Sequence, residues 1–247
     1  MAFPRRPLIF VAHPDDETLA CGGLLQRVGK SLVVFATDGA APGFGCERQS
    51  GSLKAYSDLR FQEASRALAH IPTAPFQRLT KPDGSYFIEV HLFEELPAAA
   101  TALSAIVRSF CPDAIISHAY EGAHIDHDAC GFVAMHVGTA LGLDFYEFPL
   151  YWLDPEGKPV LQRFRDDGNE VIQWQLSEAE IQVKKQMMAP TTHNAEQCPL
   201  SIPPASECVG PAAVRHTQSP NVVTICFRSG ARVSITPSIT ASPPKCC

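Results

Sequence analysis

The 247-residue chain has no surplus of positive charge: 20 Lys and Arg face 26 Asp and Glu, a formal net charge of −6. That balance disfavours general binding to nucleic acid or to anionic membranes. Long apolar runs are missing as well. No stretch approaches the roughly 20 residues of a membrane-spanning helix, and the run Leu8–Ala12 is too short for a signal-peptide core. The nine cysteines form no CxxC pair, so neither a zinc ribbon nor a disulfide framework is indicated. Internal repeats are absent. These exclusions leave the profile of a soluble cytoplasmic protein with a small-molecule partner. At 45% hydrophobic content, the chain suits one globular domain, or one domain plus a tail.

The alternation of elements carries the fold signal. Leu8–Ala12 is a short continuous apolar run, as in a buried parallel strand. Thr18–Lys30 places Leu19, Leu24, Leu25 and Val28 near helical spacing, with Gly29 as terminator. Ser31–Thr37 is a second buried strand. Further helices are expected at Tyr56–His70, Phe93–Phe110 with Pro97 in its first turn, Asp128–Gly142 and Ser177–Met188. Further strands are expected at 113–119, 143–152 and 171–174. Residues 76–90 resemble two short extended segments about a turn, and 40–54 form a long Gly-rich loop. The pattern predicts an α/β fold with a doubly wound, mostly parallel sheet in a three-layer, Rossmann-like arrangement. Such sheets bind ligands beyond the carboxyl ends of their strands, which puts the loops after residues 12, 37 and 117 on one rim. Residues 1–188 read as the folded domain. Residues 189–247 are rich in Pro, Ser, Thr and Cys, and only 221–227 looks like a strand. This tail reads as poorly ordered or as translated out of frame, and no function is assigned to it.

Two polar clusters fall on that rim. VAHPDDETLACGG (11–23) sets Asp15 and Asp16 side by side after His13 and Pro14. Alone, it is a well-made helix start, because acids suit a first turn. HAYEGAHIDHDAC (118–130) adds His124 and His127, three apart, with Asp126 between them and Asp128 after. Both clusters lie just past buried strands and would face each other across the crevice. A cation explains the crowding, since it neutralises adjacent carboxylates and takes neutral imidazole as ligand. His13, Asp16 and His127 supply three ligands, the donor mix of a catalytic zinc with an open fourth position; Fe2+ suits the same donors. Asp15 then stands beside the open position as a proton acceptor, and His124 can face it.

These residues carry a resemblance. AHPDDE with Gly22 and Gly23, a TDG after the second strand and the later HxDH are similar to the LmbE/PIG-L de-N-acetylase family. TDGA (37–40) and RFQEA (60–64) fit it too, and the likeness spans roughly residues 8–188. The family implies a zinc-dependent hydrolase that removes acetyl groups from N-acetylglucosamine-containing substrates, among them glycosyl-phosphatidylinositol, mycothiol and bacillithiol precursors. By the same resemblance His13, Asp16 and His127 match the metal ligands and Asp15 the general base. His124 matches the imidazolium that stabilises the oxyanion and can protonate the leaving amine, and Asp126 the carboxylate that tunes it. Arg60 matches an arginine in substrate contact. Ala123 and Ile125 depart from the Gly and Pro that flank the first His in many relatives, and the tail after VKKQMMA (183–189) matches nothing in the family.

Three other readings stay open: an amidase of a thiol conjugate on the same scaffold, a two-metal phosphoesterase, and a non-catalytic metal- or sugar-binding relative. The second lacks extra carboxylates and phosphate-binding basic residues near the motifs. Glu17 reads as a helix-start residue, Asp38 as crevice lining or a turn, and His118 as support for the metal loop.

Overall fold

The computed structural model describes residues 4–165, 171–189 and 224–229. Its centre is a seven-stranded sheet of order β3-β2-β1-β4-β5-β9-β8, formed by β1 (Pro7–Val11), β2 (Leu32–Phe35), β3 (Phe76–Arg78), β4 (Ala114–His118), β5 (Asp144–Phe148), β8 (Val171–Gln175) and β9 (Thr224–Ser229). The first five strands of that order are parallel; β9 pairs antiparallel with both β5 and β8. The expected doubly wound, mostly parallel α/β fold is therefore present. The expected strand at 221–227 corresponds to β9; the other tail residues from 190 onward lie outside the described residues.

Burial on both faces explains why β1 and β2 read as unbroken apolar runs. Ile9 and Val11 of β1 face a core shared with α1 (Asp16–Leu25), α3 (Leu53–Leu68) and α6 (Glu178–Met188). Leu8, Phe10 and Ala12 face the opposite core, built with α4 (Leu96–Phe110) and α5 (Ile125–Leu141). Leu103 and Val107 of α4, and Val133 and Val137 of α5, fill that second core. Truncating a buried leucine such as Leu103 typically costs about 2–5 kcal/mol.

The boundaries differ from expectation for local reasons. Helix α1 starts at Asp16, earlier than Thr18, so its acids occupy the first turn. It ends at Leu25, because the Arg27 and Val28 N–H groups both bond back to Leu24 O and Gly29 is not needed as a terminator. Helix α5 starts at Ile125, three residues before Asp128, because His124 caps it by accepting the Asp126 N–H at 3.2 Å. It stops where expected, at Gly142 with φ 68°. The strand expected over 143–152 is divided at Pro149, which has no N–H for a ladder. β5 ends at Phe148, and β6 (Tyr151–Leu153) makes a separate hairpin with β7 (Pro159–Leu161), which the sequence reading missed. The long loop also holds a short helix, α2 (Cys46–Ser50). Leu92–Glu95 forms a 3₁₀ turn leading into α4, and Pro97 sits in the first turn of α4. No helix among the described residues is long and apolar enough to cross a membrane.

Candidate active site

The strand order creates the site. After β1 the chain builds outward through β2 and β3, then returns to place β4 on the other side of β1. The loops leaving β1 and β4 diverge at this switch point and open a crevice. One loop carries His13 to Asp16; the other runs from His118 to His127.

Local geometry aims these side chains. Pro14 restricts His13 to extended backbone. Asp15 then takes φ 143° and ψ −27° as the chain turns into α1. Such backbone costs of order 1–3 kcal/mol in a residue with a side chain, and it persists only where its surroundings enforce it. The TDG stretch helps to enforce it: Gly39 has φ 66°, and a Cβ there would lie 2.7 Å from Pro14 Cδ. On the other strand, Gly131 lets α5 approach β4, since its Cβ would lie 2.4 Å from His118 O.

Three donors converge between the loops. His13 Nδ1 lies 3.3 Å from His127 Nε2 and 3.4 Å from Asp16 Oδ2, and His127 Nε2 lies 3.6 Å from Asp16 Oδ1. A tetrahedral ion with bonds of about 2.0–2.1 Å has ligand–ligand edges of about 3.4 Å. Asp16 Oδ1 is buried with no hydrogen-bond partner among the described residues. A bare buried carboxylate oxygen is costly unless something neutralises it. The surrounding charge points the same way: Asp15, Asp16, Glu89 and Asp126 crowd a space in which Arg60 is the fixed cation. The donor set, its spacing and its excess negative charge all fit a divalent cation, so the structure holds a candidate His/Asp metal site. Two overlapping ligand groups can be drawn, His13–His124–His127 and Asp16–His118–His127. His118 Nε2 accepts the Ala12 N–H at 3.1 Å, so its lone pair is engaged. Its ring stacks on His127 at 4.2 Å, so it supports the His127 ring.

The titration pattern follows from burial and neighbours. Burial disfavours charge on all three histidines. On His13 it is outweighed by Glu89, Asp126 and Asp16, which raise its pKa well above the ordinary value. On His127 burial, with His118, prevails and lowers the pKa far below it. Burial and the charge on His13 push His124 down to about 4. Its Nδ1 accepts the Asp126 N–H, which leaves the proton on Nε2. Burial opposes the charge on Asp16, but His127 and His118 hold its pKa well below the carboxylate range.

The remaining expected residues are also placed. The Asp126 carboxylate, expected to tune His124, contacts His13 Nε2 at 3.2 Å and accepts the Val90 and Leu92 N–H groups at 2.6 and 3.3 Å. Its charge also raises the pKa of His124 against the effect of burial. Arg60, expected in substrate contact, is as buried as His13 and Asp15. Its Nη2 pairs with Asp15 Oδ2 at 2.9 Å and donates to Pro14 O. Burial alone would lower the Arg60 pKa, but Asp15 and Glu89 hold it above the ordinary value. Glu17 accepts the Asp15 N–H at 2.9 Å, as a helix-start residue does, and burial raises its pKa to about 8.

Two acids escaped the sequence reading. Glu121 accepts the Leu150 and Tyr151 N–H groups, which brings Tyr151 edge-on to His127 at 5.6 Å. Burial raises the pKa of Glu121 to about 8. Glu89 lies beside His13, on a stretch that reads in sequence as the second of two short extended segments about a turn. Asp38, expected as crevice lining or a turn, supports that stretch by accepting the Glu89 N–H at 3.0 Å.

A family model described as "PIG-L: GlcNAc-PI de-N-acetylase" matches residues 8–137, more than half of the chain. The chain belongs to the PIG-L family. It is accordingly a hydrolytic N-deacetylase. Comparison with curated proteins gives no match. Among solved structures, the zinc-inhibited form of teicoplanin deacetylase Orf2 is similar at 17% identity with a TM-score of 0.61, covering 91% of this chain and 98% of that one. The N,N'-diacetylchitobiose deacetylase of Pyrococcus horikoshii, in complex with its inhibitor MPG, is similar at 15% identity and a TM-score of 0.51, covering 76% of this chain and 71% of that one. GalB, a 4-carboxy-2-hydroxymuconate hydratase of Pseudomonas putida, is similar at 16% identity and a TM-score of 0.56, covering 96% and 99%. At these identities the structural likeness establishes the shared fold. The reaction type comes from the family.

Proposed function

We propose that this PIG-L member removes the acetyl group from a small N-acetylated amino sugar, such as an N-acetylglucosamine conjugate. In this reading His13, Asp16 and His127 hold a single zinc, or ferrous iron, and Asp15 is the general base. The observation that carries it is the meeting of His13 Nδ1, Asp16 and His127 Nε2 at 3.3–3.6 Å, with Asp15 fixed beside them by Arg60 at 2.9 Å. Two of the similar structures are deacetylases, and the name of one specifies an acetylated sugar.

A cation held there supplies Lewis acidity, easing ionisation of water and polarising the amide carbonyl. The protein's own groups do the rest. Arg60 orients Asp15 through their ion pair at 2.9 Å. Asp15 accepts a proton from the attacking water as the C–O bond forms. His124 donates its Nε2–H to the oxygen on which negative charge grows. The C–N bond then breaks, and the amine leaves with the proton that Asp15 took from the water. Asp126 orients His13 by accepting from its Nε2–H, so that Nδ1 faces the other donors. Arg60 acts as a positioning residue on this account, because its Nη2 pairs with Asp15 and donates to Pro14 O.

The test is acetate release from N-acetylglucosamine and N,N'-diacetylchitobiose by the metal-loaded protein, beside Asp15→Asn. The wild type is expected to release acetate. Asp15→Asn is expected to keep its metal and lose at least about 100-fold in turnover, the scale of a general base. Full activity in Asp15→Asn removes the base assignment; no acetate from the wild type removes the substrate class.

A further inference from the structure

We infer that Glu89 reads the hydroxyl groups flanking the acetamido group of the substrate, an inference that rests on the de-N-acetylase reading above. Glu89 sits on the short segment 87–92, which hangs between the two site loops. Asp38 accepts the Glu89 N–H at 3.0 Å, and Asp126 accepts the Val90 N–H at 2.6 Å. To reach both, Val90 takes φ 64°. This is a genuine outlier for a β-branched residue, and such strain persists only where surrounding contacts impose it. The segment is thus fixed in place at the site rather than draped across it.

Its carboxylate accepts no hydrogen bond among the described residues, although it faces the charges of His13 and Arg60. Glu89 Oε1 lies 3.9 Å from His13 Nε2, beyond hydrogen-bond distance, and that nitrogen already has Asp126 at 3.2 Å. The Arg60 guanidinium acts on Glu89 through its charge, while its Nη2 pairs with Asp15 and donates to Pro14 O. The side chain is only 17% exposed. A carboxylate offers about four acceptor sites, and leaving them unused in a mostly buried place is unfavourable. The free acceptors therefore call for donors from a ligand in the crevice. An amino sugar carries hydroxyl donors on the carbons next to its nitrogen, and the proposed ligands place the scissile amide beside His13. A cationic ligand is the competing donor, and the deacetylated product, an ammonium, is one.

The experiment separates the two. Binding of glucosamine and of cyclohexylamine to the metal-loaded full chain is measured by calorimetry for wild type, Glu89→Gln and Glu89→Ala. Both amines carry the ammonium; only glucosamine carries hydroxyls. Glu89→Ala is expected to weaken glucosamine at least tenfold and cyclohexylamine less than threefold, with Glu89→Gln between wild type and Glu89→Ala on glucosamine. The same variants are expected to raise KM for N-acetylglucosamine more than they lower kcat. Equal weakening of both amines assigns Glu89 to the ammonium and overturns the inference. Unchanged glucosamine affinity in Glu89→Ala overturns it, as does a metal-loaded wild type that binds no glucosamine. Failure of the underlying reading shows separately, as a wild type that releases no acetate from any N-acetylated sugar.

Discussion

Gly39 shows how much one missing side chain does at this site. A methyl group there would press on Pro14, one residue before Asp15. The backbone at Gly39 is also left-handed, which an alanine tolerates poorly. Gly39→Ala is expected to cost more than about 1 kcal/mol of stability and to reduce acetate release further than that loss explains, because Pro14 carries Asp15 with it. Urea unfolding together with turnover measured well below the midpoint checks both; unchanged turnover would show that Asp15 is positioned without Gly39. The TDG stretch was legible in the sequence as part of a resemblance. Its reason, a steric fit against HPDD, was not, because residues 14 and 39 meet only once β1 and β2 pair. Glu89 was illegible for a related reason: nothing near it in sequence marks it, and it reaches the site only through the hydrogen bonds of Asp38 and Asp126.

At the level of elements, α1 carries Asp16 and is braced from outside by α6. Lys184 donates to Leu19 O at 2.8 Å, Gln26 donates to Glu180 O at 3.0 Å, and Arg27 pairs with Glu180 at 2.5 Å. Glu180 also closes a capping box with Ser177. The Arg27 hydrogen bond is the main cause holding the Glu180 pKa down at about 2. A carboxylate whose folded pKa is depressed stabilises the fold above its unfolded value, near 4.5, and loses that contribution as pH falls towards 2. Arg27→Ala is therefore expected to lower the urea midpoint at pH 7, with a difference from wild type that shrinks at pH 3. A difference that stays constant with pH would mean that Arg27 acts through packing on Trp174, which it faces at 5.7 Å, rather than through Glu180. Helix positions were legible from apolar spacing. Their ends were less so, since α5 begins early only because the His124 ring, a functional side chain, also caps it.

On the scale of the whole molecule, the doubly wound order could be read from alternating apolar runs and helical periods, and the site from two His/Asp clusters following buried strands. The hairpin β6–β7 could not, because its short strands lack a strong alternating pattern and Pro149 interrupts the run before them. The sequence also could not tell which partner each polar group takes: Arg60 turns to Asp15, and the Asp126 carboxylate to His13. Those choices follow from the parallel pairing of β1 with β4 at the switch point, which brings residues about 110 apart into contact. The central claim is that this pairing builds one metal site from His13, Asp16 and His127. Elemental analysis of purified wild type and His127→Ala, with folding checked by circular dichroism, tests it most directly. About one zinc or iron per wild-type chain, lost in a folded His127→Ala, is the predicted result; equal metal in both, or none in a folded wild type, would contradict it.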